Sequence, residues 1–589
     1  MSNKKLIFLE NKYQAEEYLR NKKDFREYLP IPFRFEVEKI LNNNGIKFKL
    51  EEDYENYKMY DGIHKKSVNY ARVIGKNFSF EYKNIDLMPI FFYKLYVLFS
   101  STLRNFILLR EIIKKENPKE IFVFEKEGAF FYEDDFASRI IPSIFKGKIR
   151  KRKYFIPPKK LTGKEVLINF YGFFQKVITN LFLKFNKNKR KIFEFSGRQY
   201  YKKVLEFLNK ENYSLVDFGD FVGKSFFING DYVPFYFLSG KRKVQDKIFL
   251  INIENLLSKL ENSSLTNKIG LEKEIEERIK VAIKDLIKIE FPKVARKIGE
   301  LIDLIKTQNI KLFLLADDTA DFGGIVARVA KLYKIPTVVF QHGYFASEIG
   351  QNSISDNLFM FGEESKKNSI KFGNLAGNVK VTGSPRYDFL KSDGKKNTKN
   401  IVYAMETSPG NDDLTPEIQL GKKRQKEILR AIFRTMKKFP EYKLILKTRS
   451  NWVLEGLPEG VAKEENFQNF EVIVKTDNLK LLNNSDLVIV NYTTMGLEAL
   501  LLGKPVVSFS YPNHDKINFY KDLNGAKVVY SQKEFEKCLI DLKKGDLNFL
   551  NKGKIPLKNF IFTDGKSSER AFNLIKEILT AQKIKKIYL

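Results

Sequence analysis

The stretch LFLLADDTADFGGIVARVAKLYKIPTVVFQHG, residues 312–343, constrains this chain more than any other because it spells strand, helix, strand. Residues 310–316 are a short apolar run with the length of a buried parallel strand. Asp317, Asp318 and Thr319 follow as polar loop residues and helix caps. Phe322, Ile325, Val326, Val329 and Tyr333 then recur at the spacing of one helical face. Residues 335–340 are a second apolar run, which stops at Gln341, His342 and Gly343. A parallel βαβ unit sets the carboxyl ends of its strands on one edge, where open α/β sheets bind ligands. Asp317, Asp318, Gln341 and His342 are therefore expected on one functional edge. The chain has only three histidines. One placed at a strand end is either a catalytic group or a hydrogen-bonded loop residue.

At 589 residues the chain exceeds a single core, and several domains are expected. Its net charge of +32 calls for an anionic partner: nucleic acid, an acidic membrane surface or a phosphorylated substrate. Cys538 is alone, so neither an intramolecular disulfide nor a cysteine metal site is available. His64, His342 and His514 are scattered, which speaks against a histidine metal site. No metal and no cofactor is expected. The apolar run at the start is too short for a signal peptide, and the best hydrophobic window, 87–109, is broken by Lys94 and Arg104. These features predict a cytoplasmic protein, either free or peripheral at the inner face of the plasma membrane.

Along the chain the pattern is α/β throughout. Strands are expected at 5–10, 46–50 and 121–125, with helices at 35–43 and 89–115. Residues 146–160 hold eight Lys or Arg in fifteen. In the helical stretch after them, Leu167, Phe170, Tyr171, Phe174, Ile178, Leu181, Phe182 and Phe185 form one stripe, and a second basic cluster follows it. An interfacial membrane helix and a core helix with solvated flanks both fit this pattern. A new α/β unit opens at 192, 219–265 is irregular, and 269–307 is helical. Polar residues after 390 read as a linker to a last domain with strands near 401–405, 443–447, 472–475, 487–491, 505–510 and 527–530. The expected division is an N-terminal α/β region (1–145), a basic amphipathic segment facing a membrane or the core (146–191), a Rossmann-like domain ending after the QHG strand (192–390), and a second Rossmann-like domain with a C-terminal helix (391–589).

A second informative stretch is DLVIVNYTTMGLEALLLGKPVVSFS, residues 486–510. A buried strand stops at Asn491, a turn holds Thr493 and Thr494, and a helix opens with Glu498 one turn in. Such a turn either holds a phosphate with its free N–H groups and hydroxyls or is simply a capped helix start. The chain has neither a dinucleotide fingerprint nor a Walker loop.

QHG at a strand end, then VTGSPRYD, NYTTMGLEALLLGKPVV and DGKSSER in that order, resembles the two-domain nucleotide-sugar glycosyltransferases of the GT-B fold. Within them it is most similar to the surface-polysaccharide group that includes capsule polysaccharide transferases and CDP-glycerol glycerophosphotransferases. The likeness covers roughly residues 300–582. It implies two Rossmann-like domains facing a cleft, preceded here by an enlarged N-terminal region, with the acceptor on the first and a nucleotide-sugar donor on the second. His342 matches the family's proposed base, which suits an inverting transfer, and Asp317 or Asp318 would orient it or replace it. Thr493 and Thr494 match the phosphate-binding turn, Glu498 the ribose contact, and Thr407 and Ser408 the first turn of the donor domain. Gly383, Ser384 and Arg386, at the domain junction, would contribute donor contacts to the cleft. One departure matters. Where many relatives carry His-Pro, this chain has Lys447-Thr448-Arg449, so Lys447 and Arg449 would neutralise phosphate instead. That argues against glycerophosphotransferase chemistry and leaves a UDP-, GDP- or dTDP-sugar in play.

The expected activity is sugar transfer to a growing surface glycan or lipid-linked acceptor. A glycerophosphotransferase and a non-hydrolysing UDP-sugar 2-epimerase are the enzymatic alternatives. A nucleic-acid-binding protein is the rival of another class, and it lacks a recognisable recognition module.

Overall fold

Strands that alternate with helices and are apolar on both faces pack as parallel sheets covered on both sides. The computed structural model shows three such sheets. It describes residues 4–126, 136–154, 163–195, 198–219, 232–237, 246–319, 321–343, 353–394, 397–405, 421–448, 455–511, 518–548, 550, 553, 555–562 and 564–587. Thr407, Ser408, Arg449 and His514 lie outside these residues.

The first sheet runs Tyr28–Pro32, Lys5–Leu9, Glu120–Lys126, Lys148–Tyr154, all parallel. The second runs Val379–Val381, Asn357–Met360, Thr337–Phe340, Ile310–Leu315, Lys191–Phe195, Ser214–Gly219, Tyr232–Phe237. The third runs Phe470–Ile473, Lys443–Lys447, Asn400–Ala404, Leu487–Val490, Val506–Phe509, Ala526–Val529. In both larger sheets the first strand in sequence lies beside the fourth, and the second and third extend the other way. This is the doubly wound Rossmann order, with the switch point between first and fourth strands. The GT-B-type architecture of two Rossmann-like domains is thus present, and a third parallel sheet precedes them.

One hydrophobic core joins the first sheet to the second. Leu6, Phe8, Ile121 and Val123 share it with Phe193, Phe195, Phe313 and Leu315, through a helical layer that includes Phe92–Glu116 and Phe291–Thr307. The other face of the second sheet, with Ile192, Leu312, Leu314 and Val338, packs against the helix Arg198–Lys210 and against Ala571, Ile575 and Leu579 of the last helix, Ser567–Ile587. That last helix therefore belongs by packing to the second sheet, although the sequence places it at the end of the third domain.

Three boundaries differ from expectation, each for a physical reason. Residues 46–50 are not a strand, and Tyr28–Pro32 takes the place beside Lys5–Leu9. Pro30 and Pro32 hid it, but an edge strand tolerates missing N–H donors. The first region extends past 145, because Lys148–Tyr154 is its other edge strand, and the charges that disguised it suit an exposed edge. The basic segment 146–191 is consequently split between a strand and the helix Gly163–Phe185. Finally, Tyr232–Phe237 and the helix Lys247–Glu261 give structure to part of the stretch 219–265.

The first region also docks on the third domain through buried charge. The ammonium of Lys422, at the start of the helix Lys422–Met436, meets Glu38, lies 2.7 Å from Glu51 and 3.5 Å from Glu52. Lys426 lies 2.9 Å from Glu52 and 3.5 Å from Glu38. Three carboxylates against two ammoniums leave one negative charge too many for a buried site. Burial, then Glu38 and Glu52, raises Glu51 to about 8 against the pull of Lys422. Against the cost of burial, Lys422 and Lys426 hold Glu52 below the usual carboxylate range. Glu51 is therefore the carboxyl that stays protonated at neutral pH.

A folded pKa above the unfolded one means that the native state holds an extra proton between the two. The stability that Glu51 contributes is full below its ordinary value of 4.5 and is lost as pH rises through about 8. Glu51→Gln is expected to flatten the decline of melting temperature over that window relative to wild type. Lys422→Met strands buried carboxylates and is expected to cost about 3–5 kcal/mol in urea unfolding.

Candidate active site

The strand Ile310–Leu315 delivers Ala316, Asp317 and Asp318 to the carboxyl edge of the second sheet. The helix that follows starts hard against this turn. A Cβ on Gly323 would stand 1.9 Å from the Asp317 carbonyl oxygen, so only glycine fits. Asp317 accepts hydrogen bonds from the Thr319 N–H (2.7 Å) and hydroxyl (2.6 Å). Asp318 is buried, and its Oδ2 accepts from the Ser353 hydroxyl and from the N–H groups of Ile354 and Ser355 at 2.6–2.8 Å. That oxygen anchors the approach to the strand Asn357–Met360, a structural task that competes with service as a base.

The strand Thr337–Phe340 ends in Gln341, which is also buried. Its amide donates to the Gly343 carbonyl (2.9 Å) and Ser365 Oγ (3.1 Å) and accepts from the Phe361 N–H (2.8 Å). With both ends of the amide engaged, Gln341 fixes the turn that presents His342. The ring Nδ1 of His342 lies 2.8 Å from the Ala316 carbonyl oxygen. A carbonyl only accepts, so Nδ1 carries the proton, and in the neutral ring Nε2 is the basic nitrogen. A cavity of about 20 Å³ lined by His342, Asp317, Gln341 and Asn374 has room for about one water.

The third domain reaches the same place from the other side. Leu487–Val490 ends at its own switch point in Asn491, which accepts from Tyr403 Oη (2.9 Å) and donates to the Phe509 carbonyl (2.8 Å), tying three strands together. Thr493 Oγ1 accepts from the Met495 N–H (3.1 Å), and the Thr493 carbonyl accepts from Tyr520 Oη (2.5 Å). The helix Met495–Leu501 has seven residues, too few for a strong dipole. Any anion held there depends on the hydroxyls and N–H groups of Thr493 and Thr494. Glu498 is buried, and its Oε1 accepts from Tyr387 Oη (2.8 Å) and lies 3.3 Å from the Arg386 guanidinium. Its Oε2 is buried with no hydrogen-bond partner. Burial, then Glu498, raises the Tyr387 hydroxyl well above its ordinary pKa, so it stays a donor.

Tyr200, on the helix Arg198–Lys210, links the two sides. Its ring centroid is 6.0 Å from that of His342, and the Arg386 guanidinium lies 5.9 Å from the Tyr200 ring. His342, Tyr200, Arg386 and Glu498 thus form a continuous line from one sheet edge to the other. Lys447 ends its strand with its ammonium on the carbonyls of Thr448 (2.6 Å) and Val474 (3.0 Å).

Gly383 and Ser384 lie packed at the junction. A Cβ on Gly383, at φ 79°, would meet Ser567 Oγ at 2.4 Å, and Ser384 is buried. Asp388 accepts from the N–H groups of Ser567 (2.9 Å) and Ser568 (2.7 Å), and Arg570 donates to the Thr382 carbonyl (3.0 Å). The VTGSPRYD and DGKSSER segments are therefore partners in one clasp, which leads the chain back to the second sheet. Sequence reasoning passed over Tyr200, Tyr387, Asp388 and Tyr520. The only available signal was the position of Tyr387 and Asp388 inside a motif already quoted.

Two other features lie away from this edge. The cavity of about 230 Å³ lined by Asn397, Asp486 and Lys504 opens at the amino ends of the third sheet, opposite the edge where α/β sheets bind ligands. Among the described residues, Glu38, Glu51 and Glu52 are close enough to hold a metal ion, but the ammoniums of Lys422 and Lys426 already sit among them.

A family described as "Protein of unknown function (DUF354)" matches residues 423–532. No curated protein matches. Among solved structures, the UDP-GlcNAc 2-epimerase from Neisseria meningitidis bound to UDP-GlcNAc is similar at 15% identity, over 67% of this chain and 100% of that one, with a TM-score of 0.40. The wall teichoic acid polymerase TagF is similar at 14% identity over 72% and 100%, with a TM-score of 0.39. The lipopolysaccharide outer core galactosyltransferase WaaB is similar at 12% identity over 66% and 99%, with a TM-score of 0.37. At these values the likeness fixes no activity.

Glu498→Ala would leave the buried Tyr387 hydroxyl without its acceptor. It is expected to lower stability by about 1–3 kcal/mol in urea unfolding, whereas an unchanged midpoint would mean that Glu498 does not hold the junction.

Proposed function

We propose that this protein is a metal-independent, inverting glycosyltransferase that moves a sugar from a nucleotide-sugar donor to a hydroxyl of a surface-glycan or lipid-linked acceptor. The observation that carries this proposal is His342 at the carboxyl edge of the second sheet, with Nδ1 committed to Ala316 and Nε2 as the basic nitrogen, in line through Tyr200 with Arg386 and Glu498. In the proposed step, the acceptor hydroxyl attacks the anomeric carbon and its proton passes to His342 Nε2. The bond between that carbon and the diphosphate oxygen breaks, and the nucleoside diphosphate leaves. Asp317, beside Ala316, would contribute negative charge near the developing imidazolium. Asp318 would set the loop rather than act as base. Positive charge for the leaving diphosphate would come from Arg386 and Lys447, aided by Arg449 and by the hydroxyls of Thr493, Thr494, Thr407 and Ser408. The unpartnered Oε2 of Glu498 offers an acceptor for a ribose hydroxyl. The Lys447-Thr448-Arg449 sequence, in place of a histidine, argues against CDP-glycerol chemistry and leaves a UDP, GDP or dTDP donor at least as well suited as a CDP-linked one.

Melting curves in the presence of UDP, GDP, dTDP, CDP and CMP test the donor site. A nucleotide at 100 times its Kd adds about 2.7 kcal/mol of stability. One of the first three is expected to raise the melting temperature, and His342→Ala should preserve that rise. If none of the five shifts it, the donor site is misassigned.

A further inference from the structure

Among its described side chains, helix Gly163–Phe185 carries two apolar faces, one packed on the fold and one exposed. Thr179 and Leu183 are buried, with Leu183 and the half-buried Phe182 packed into the core shared by the first two sheets. On the opposite side Leu167, Phe170, Phe173, Phe174, Val177, Leu181 and Phe185 are 41–80% exposed. At about 100° per residue these seven fall within an arc of about 120°, centred opposite Thr179 and Leu183. Of the stripe seen in the sequence, Leu167, Phe170, Phe174, Leu181 and Phe185 thus point outward, whereas Phe182 turns to the core. Among the described residues, no helix is long and apolar enough to cross a membrane. An apolar face of this kind is suited to lying in a bilayer interface.

Charge decides what covers it. The chain has no Asp or Glu from 166 to 193, and Lys184, Lys187 and Lys189 are exposed at the carboxyl end of the helix. Lys191, whose pKa burial lowers to about 8, donates to the carbonyls of Asn186, Lys187 and Lys189 and so fixes the turn that carries these lysines. The other basic run contributes less. On the edge strand Lys148–Tyr154, Lys148 and Arg150 pair with Glu120, Lys151 with Glu125, and Arg152 with Glu17 and Asp24. A second copy of this chain, docked through the same face, would bring its own Lys184, Lys187 and Lys189 against these three. Duplex nucleic acid offers phosphate, but its base faces are stacked inside and closed to a stripe of phenylalanines and leucines.

We propose that the outer face of this helix, led by Phe170, Phe174 and Leu181, inserts into the interfacial layer of an anionic lipid bilayer. Lys184, Lys187 and Lys189 rest on the headgroups. This surface stands independently of the sugar-transfer proposal.

Co-sedimentation of the full chain with phosphatidylcholine vesicles, with and without about one third phosphatidylglycerol, tests it. Binding to the anionic vesicles is expected, weakened about tenfold or more by high salt or by omission of phosphatidylglycerol. The triple variant Phe170→Ser, Phe174→Ser, Leu181→Ser is expected to lose about a hundredfold in partitioning with its melting temperature unchanged. Phe170→Trp, a milder change, is expected to gain a blue-shifted emission component on adding anionic vesicles. Wild-type failure to bind, a triple variant that binds normally, or an emission of the Phe170→Trp variant that ignores vesicles overturns the proposal. So does a wild-type dimer that the triple variant dissociates while vesicles have no effect.

Discussion

Glu498 is held where the second and third sheets meet, with Tyr387 and Arg386 closing on the same carboxylate oxygen. Those two residues come from the segment that leaves the second sheet, and Glu498 comes from the helix that follows a central strand of the third. The contact therefore ties the carboxyl edges of the two sheets together. Asp388, one residue beyond Tyr387, clasps the start of the last helix, which packs back on the second sheet. The line from His342 through Tyr200 to Arg386 depends on both contacts. A buried carboxylate with two donors on one oxygen and none on the other is costly unless a ligand supplies the remaining partner. The proposed donor ribose would supply that partner.

The N-terminal region adds a second constraint. It shares a core with the second sheet and reaches the third domain through Lys422 and Lys426 among Glu38, Glu51 and Glu52. The two Rossmann-like domains are thus joined by their connecting segment, by the returning helix and by this bridge. Their facing edges are set by three separate contacts rather than by one flexible linker.

Much of the fold was legible because parallel α/β sheets write themselves plainly. Runs of apolar residues bounded by polar turns mark several central strands, as at Leu312–Leu315 and Leu487–Val490. Edge strands escape that rule. Tyr28–Pro32 carries two prolines and Lys148–Tyr154 is dense with charge, since one side of each needs no partner. The places of His342 and of the Thr493–Thr494 turn just after strands were readable. The pairing of Gly383 with Ser567, and the buried contact of Glu498 with Tyr387, join residues more than a hundred positions apart, and no local pattern reveals them. The same limit applies to the helix Gly163–Phe185, whose stripe fits the core or a membrane equally until its neighbours are placed.

The most direct measurement is product analysis with radiolabelled nucleotide sugars, supplied one at a time to the full chain with a lipid extract as acceptor. One UDP-, GDP- or dTDP-sugar should be consumed, with label passing to the lipid fraction, stoichiometric release of nucleoside diphosphate, and loss of both in His342→Ala. Conversion of the sugar at C2 without label in the lipid, or turnover that survives His342→Ala, would contradict the assignment of transfer chemistry to this edge.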